Sequence, residues 1–531
     1  MKQNDNLQQR LLLALVLSFV VFVVFDMFMP KTAKNIDQNG TATTQLEQQT
    51  PNVINTNSAT APTLQGSQSL APVTTVKSLT TVSSDTFVYS IDELGRIAQV
   101  KMLETKYEYE DRKLELLNPL WVKPLEIRFS DISLNKEALK TPYTTSVSTI
   151  DLNSGTSNKV TLTQKLSSVT VSKELTFYKD GHYDINVKLS NPVDYFITTG
   201  QRPNADHTRY MVVQGALIKK ANGTVEILED GDAEETLNIQ NAEFASAFDR
   251  YFTSILYSFD RPLNVSNIII GEDKDNALLF IQGEQNFALH GYLGPKDSVV
   301  LKNINPKLTD AIEYGFFTFI SKPLFKVLEW FHGLVGNWGW AIVLVTLLIK
   351  LILFPLSYKG MMSMQKLKDL APQMKELKEK YGKDPQKMNA KMMEMYKKNG
   401  ANPMGGCLPM IMQIPIFFAI YRVLLNSVEL QGAEWTLWIT NLSVMDPYFV
   451  LPLLMGASMW YQQKITPNTM TDPMQQKIFQ WLPAVMTVFF VTFPAGLVLY
   501  WLVNNVFTIA QQYVINSAFE KQKAAKIAAQ K

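Results

Sequence analysis

The sequence predicts a mixed fold, an α-helical integral membrane core joined to a large all-β domain, and three observations carry that reading. Apolar segments of membrane length or shorter cluster at the two ends of the chain. A long stretch between the first and second of them alternates with period two. A lysine-rich segment sits between two of the later ones. The 531 residues hold 50 Lys+Arg against 48 Asp+Glu, so no global charge points to nucleic acid. With one cysteine, Cys407, no intrachain disulfide can form, and with four histidines scattered along the chain no metal site is expected.

After a short N-terminal segment (residues 1–10), residues 11–29 are apolar for about the length of a ~30 Å hydrocarbon core. The run exceeds a signal-peptide h-region, and Pro30-Lys31-Thr32 is no small-residue cleavage site, so an uncleaved anchor is expected. Residues 30–84 are rich in Thr, Gln, Asn, Ser, Ala and Pro and read as a flexible linker. Residues 85–305 read as a β-sandwich. Val160, Leu162 and Leu166, then Val169, Val171, Leu175 and Phe177, then Tyr183, Ile185, Val187 and Leu189 share one face. The turns Lys179-Asp180-Gly181 and Glu93-Leu94-Gly95 join such runs as antiparallel hairpins.

Residues 313–335 change to helical period, with Lys322, Lys326 and Glu329 on one face and Phe316, Phe319, Ile320, Leu324, Leu328 and Phe331 as the apolar remainder. This fits an amphipathic helix in the membrane interface, or else a domain-packing helix. Five further apolar segments follow, at 338–357, 408–425, 448–461, 481–493 and 496–515, some short or proline-interrupted. With the anchor they make six transmembrane helices.

Charge sets the orientation. Residues 359–400 hold eleven lysines and five acids, a net of +6. Residues 426–447 carry Glu429, Glu434 and Asp446 and no Lys or Arg, whereas the tail 516–531 has four lysines against one glutamate. The positive-inside rule makes the lysine-rich segment, the loop 462–480 and both termini cytoplasmic, and the β domain and the loop 426–447 periplasmic.

Lys350 is the sharpest single feature, a cation inside the span 338–357 costing about 2.5–3.5 kcal/mol on insertion scales. Snorkelling towards Tyr358 and Lys359 is one reading. A shared wet cavity is the other. Thr346 lies one turn before Lys350, Trp501, Asn505, Thr508 and Gln512 form a polar stripe in the last span, and Gln413 lies inside another. The segment 358–407 reads as a helical hairpin, Met361–Lys380 forming one arm and Asp384-Pro385 starting the other. Its methionines, Met361, Met362, Met364 and Met374 and then Met388, Met392, Met393 and Met395, suit either an adaptable apolar surface or core filling. Its lysines would attract anionic lipid headgroups or ribosomal RNA. Gly405-Gly406 lacks a following Gly-Lys-Ser/Thr, and no serine elbow, zinc-protease motif or clear carboxylate pair is present, so neither enzyme nor cofactor is expected.

Four stretches then carry a resemblance. Asn402-Pro403-Met404-Gly405-Gly406-Cys407-Leu408-Pro409, Gln413-Ile414-Pro415-Ile416-Phe417, Asp472-Pro473-Met474-Gln475-Gln476-Lys477 and Phe493-Pro494-Ala495-Gly496-Leu497-Val498-Leu499-Tyr500-Trp501 resemble the signature segments of YidC insertases. The match spans about residues 316–512. The resemblance implies a five-helix core with a hydrophilic groove open to cytoplasm and lipid, and a periplasmic β-supersandwich. It implies an insertase and chaperone for inner-membrane proteins, working alone or with the Sec translocon and its accessory subunits. A translating ribosome would sit near the cytoplasmic hairpin, loop and tail. Groove contacts would fall on Lys350, Thr346, Gln413, Trp501 and Asn505, and adaptable apolar contacts on Met361, Met364, Phe417 and Tyr500. The family's groove arginine is replaced by Lys350, which keeps the charge and loses the planar fork. A solute transporter using Lys350 as an anion site would predict paired broken helices in two matching halves, which the sequence lacks. A membrane-tethered carbohydrate enzyme would predict that the β domain alone binds sugar.

Overall fold

The computed structural model describes residues 77–529 apart from 109–111, 156–157, 207–211, 232, 234–235, 271–275, 382–383, 402–407 and 467–472. The anchor 11–29, most of the linker, and the motif residues Asn402 to Cys407 and Asp472 lie outside the described residues.

The β domain holds two sheets. A four-stranded sheet orders Ile97–Met102, Phe87–Asp92, Ser78–Ser83 and Thr149–Asp151. A twelve-stranded sheet contains the antiparallel run Asn238–Phe248, Phe252–Tyr257, Asn286–Pro295, His182–Leu189, Thr170–Phe177 and Lys159–Lys165. Strand Thr170–Phe177 alternates half-buried and buried at every position, as period two requires of a strand with one face in the core. Its hairpin to His182–Leu189 turns on Gly181 at φ 89°, a conformation open to glycine at no steric cost. A small helix, α1 (Ile132–Ala138), is N-capped by Asp131, whose side chain accepts from the Leu134 amide at 2.7 Å.

One boundary needs correction. The linker was expected to reach Ser84, yet Ser78–Ser83 is a strand paired with Phe87–Asp92 and Thr149–Asp151. Val82 is fully buried, and the Thr80 hydroxyl donates to the Val147 carbonyl at 2.7 Å. β-Branched threonines fit a pleated surface once their hydroxyls find partners, and a Thr- and Ser-rich composition hides that.

Helix α2 (Ser298–Ile304) leads from the sheet towards the bundle, followed by α3 (Thr318–Val335). Buried Ser321, Phe325 and Leu328 seat α3 on its neighbours, while Phe319 and Trp330 are exposed. Its polar side is tied to the β domain, because Lys322 and Lys219 both pair with Asp310. The helix therefore has a polar side docked on the β domain, as the domain-packing reading expects, and bare aromatic positions at Phe319 and Trp330.

Helix α4 (Trp338–Asp369) runs 32 residues without a break, so the span and the first part of the expected hairpin arm are one element. The arm predicted as Met361–Lys380 is divided at Leu370, and α5 (Ala371–Tyr381) begins anew. Pro372 lacks the N–H that would reach the Lys368 carbonyl, which accounts for the interruption. Helix α6 (Pro385–Lys398) starts at Asp384, whose carboxylate accepts from the Lys387 amide at 3.1 Å. The core between these arms is Leu367, Leu370, Tyr396 and Ala401 with Met374, Met392 and Met395, while Met393 is exposed. Three of the methionines thus fill a core.

The remaining helices are α7 (Leu408–Asn426), α8 (Val450–Ile465), α9 (Pro473–Phe490) and α10 (Ala495–Ala529). Helix α9 starts and ends earlier than the apolar run 481–493, and α10 continues through most of the segment read as a tail. Lys523 pairs with Asp369 at 2.8 Å, and Met362, Ile515 and Phe519 bury one another, which holds this extension against α4. Among the described residues, α4 is long and apolar enough to cross a membrane by length and composition, and Ile411–Asn426 is a shorter apolar stretch.

A single buried cluster runs from Phe248 and Ile255 of the sheet through Leu301 and Tyr314 to Phe325, Ile342, Leu424 and Val498 of the helices. The β domain is thus packed onto one end of the bundle. That end is closed by the loop after α7. Asn337 caps α4 and donates to the Glu434 and Trp435 carbonyls, and a Cβ added at Gly339 would overlap the Trp435 ring.

Candidate functional site: a polar seam around a buried lysine

Lys350 is 8% exposed. Its Nζ donates to Thr508 Oγ1 of α10 at 2.9 Å, and among the described residues no carboxylate lies within ion-pair distance. On the other side of α4, Leu351 and Ile352 are exposed apolar residues. Removing a charge from water without an opposite charge is costly, so the fold carries this lysine at an energetic cost.

The partner seam is built by helical spacing on α10. Tyr500, Asn504, Thr508 and Gln511 recur at intervals of four, four and three and so share a face. Gln413 of α7 donates to Tyr500 Oη and to Asn504 Oδ1, each at 3.4 Å. Thr508 Oγ1 donates to the Asn504 carbonyl at 2.7 Å, and Gln511 Nε2 donates to the Lys350 carbonyl at 3.4 Å. Three helices therefore meet on one hydrogen-bonded strip.

The residues singled out from sequence divide between faces. Lys350, Gln413 and Tyr500 lie on this strip. Trp501 lies beside it, its ring 4.8 Å from Phe417 in a T-shaped contact and 4.8 Å from Phe490. Asn505 turns away to α8, donating to Ser458 Oγ at 3.1 Å. Gln512 donates to Asn516 Oδ1 at 2.6 Å, and Gln365 of α4 joins the same oxygen. Adjacent residues on a helix are about 100° apart, so Asn504 and Asn505 cannot face one neighbour. Thr346 is buried, and its hydroxyl donates to the Ile342 carbonyl one turn back at 2.7 Å. Met361 packs at the edge of the Met362, Ile515 and Phe519 cluster, and Met364 is half-buried on α4. Sequence reasoning passed over Asn504, Gln511 and Ser458. The i, i+4 relation of Asn504 to Thr508 was the available signal for the first.

The β domain has a cleft of about 300 Å³ lined by His182, Asp184, Tyr257, Asp260 and His290 among others. Asp184 is engaged by His290 Nδ1 at 2.6 Å and by the Tyr178 hydroxyl at 2.7 Å. Among the described residues no group of three His, Cys, Asp or Glu is placed to hold a metal.

A membrane-length helix with a buried lysine, a polar seam across three helices and a large β domain docked on one end define a class: a helical bundle with a buried polar seam carrying a β domain. Two family models cover nearly all of the described chain. Residues 79–327 match the YidC periplasmic domain, and residues 330–523 match the 60Kd inner membrane protein. The membrane protein insertase YidC of Campylobacter jejuni is 48% identical, covering 99% of this chain and 99% of its own. That of Wolinella succinogenes is 47% identical, covering 98% and 97%. Among solved structures, an active YidC insertase with its first transmembrane domain resolved overlaps at a TM-score of 0.36 and 18% identity, covering 82% of this chain and 95% of that one. The chain belongs to the YidC membrane protein insertase family. Its helical part is accordingly of the inner membrane, and its β domain is the family's periplasmic domain.

Proposed function

We propose that this chain inserts inner-membrane proteins into the bilayer and helps them fold, through a positively charged polar groove centred on Lys350. The observation that carries the reading is a cation buried on a membrane-length helix whose one side-chain partner, among the described residues, is a neutral hydroxyl. A hydrophilic tail of the substrate enters from the cytoplasm, where Lys350, Gln413 and the α10 amides lower its desolvation cost. Its apolar segment passes along Phe417, Tyr500, Trp501, Met361 and Met364 into lipid, driven by burial of apolar surface. Thr346 and Asn505 shape the groove from behind, by holding α4 and by fastening α10 to α8.

The full topology is six spans with both termini cytoplasmic, the lysine-rich hairpin inside and the loop after α7 outside. Partners are nascent inner-membrane proteins, membrane lipids, the Sec translocon with its accessory subunits, and a translating ribosome at the hairpin, the loop 462–480 and the tail. The chain consumes no nucleotide, needs no cofactor and performs no bond chemistry; insertion is downhill once the polar tail has crossed. Depletion of the protein followed by protease accessibility of newly made small membrane proteins tests this. Their translocated tails should become inaccessible to external protease, and unimpaired insertion would remove the insertase role.

A further inference from the structure

We infer that Thr508 is the positioning residue that aims the Lys350 ammonium at carboxylate-bearing segments of substrate. The inference rests on the insertase reading above. A threonine hydroxyl has one proton and two lone-pair sites. Here the proton is committed to the Asn504 carbonyl at 2.7 Å, so towards Lys350, at 2.9 Å, the oxygen can act only as an acceptor. Of the three ammonium donors one is held by Thr508, and among the described residues none meets a carboxylate. Among the described residues the other two donors have no hydrogen-bond partner, which leaves them for an anionic guest.

The need for such a holder follows from lysine itself. A compact ammonium on a four-carbon stem rotates freely and is drawn towards water at the membrane surface. Tyr358 and Lys359 lie about 12 Å along the helix from Lys350, within partial reach of that stem. On the other side of α4 the exposed residues at this level, Leu351 and Ile352, are apolar and hold no cation in place. Thr508 supplies the inward tether, and the Gln511 amide on the Lys350 carbonyl holds α10 at the same level.

The test uses the full-length protein in proteoliposomes at matched amounts, with two forms of one small membrane protein. Its translocated tail carries either Asp and Glu or the corresponding Asn and Gln. Thr508→Val keeps the shape and removes the hydroxyl, and Thr508→Ser restores it. Thr508→Val should lower insertion of the acidic form about tenfold, as loss of one charge-assisted hydrogen bond implies, with the neutral form unchanged. Thr508→Ser should stay within about twofold of the parent. Equal loss for both tails would mean a merely structural role, and no loss for either would mean no role; each overturns the inference. Lys350→Ala separates the levels. If it discriminates between the tails while Thr508→Val does not, Thr508 alone is wrong, and if it does not discriminate, the groove reading falls with it.

Discussion

Arg250, at the turn between two strands of the β domain, donates from Nε to the carbonyl of Leu425 in the last turn of α7, at 2.7 Å. The two residues are 175 apart in sequence, and Arg250 is fully buried. A cation at a helix C-terminus meets the negative end of the macrodipole and an otherwise orphaned carbonyl. The β domain is thereby clamped to the membrane bundle by a charged cap.

Arg250→Ala should therefore loosen the junction by about 2–3 kcal/mol, since it strips a charge-assisted bond and leaves a buried carbonyl without its donor. The measurement is the thermal midpoint in detergent together with proteolysis of the segment between α2 and α3. A lower midpoint with faster cleavage is expected; an unchanged midpoint would mean the cap contributes nothing.

Glu429 gives the junction a pH dependence. Its carboxylate accepts from the Ser298 amide at 3.0 Å, and burial, followed by the charge of Asp297, pushes its pKa up to about 7. Relative to an unfolded value of about 4.3, the folded state holds this proton more tightly. Between the two values the folded protein binds more protons, so stability is greatest below the unfolded pKa and falls as pH rises through 7. The loss is on the order of 3 kcal/mol. Glu429→Gln should flatten the fall in thermal midpoint between pH 5 and 8 and leave the variant more stable than the parent at pH 8. An unaltered slope would assign the pH dependence elsewhere.

Close approach of the loop after α7 to α4 depends on Gly339. A Cβ there would overlap the Trp435 ring, so Gly339→Ala must displace the indole that closes the end of the bundle next to the β domain. Overpacking of this kind costs about 1–3 kcal/mol. Tryptophan fluorescence should report a more exposed environment and the thermal midpoint should fall. A variant with parental fluorescence and stability would show that the loop adjusts freely.

The hairpin methionines should separate by position. Met392 fills the core between α5 and α6 with Tyr396 and Met374, whereas Met393 points outward. Met392→Ser should lower amide-exchange protection across 371–398 by roughly fivefold or more, a cost of about 1 kcal/mol or above. Met393→Ser should leave it unchanged, and equal effects would remove the distinction between core and surface methionine.

The parts of the fold that were legible in the sequence are those set by local periodicity. The hairpin over Lys179-Asp180-Gly181 follows from alternation and a glycine with positive φ, and α6 from Asp384 and Pro385. Strand Ser78–Ser83 was missed because its threonines resemble linker composition until Thr80 and Val82 are seen buried. In the site, Lys350 announced itself by its cost within an apolar helix. Its hydroxyl partner is 158 positions away, and nothing local pairs them. The choice between Asn504 and Asn505 turned on helix rotation, which only packing against α7 and α8 fixes. Arg250 and Leu425 meet through domain docking, which no periodicity encodes.

Insertion by the purified, reconstituted protein measures the central claim most directly, that a buried positive charge on α4 draws polar tails across. The readout is the protease-protected fraction of a newly made small membrane protein with an acidic translocated tail. Lys350→Arg should retain insertion within about twofold, because the charge persists, and Lys350→Ala should lose about tenfold or more. Parental insertion by Lys350→Ala would contradict the account.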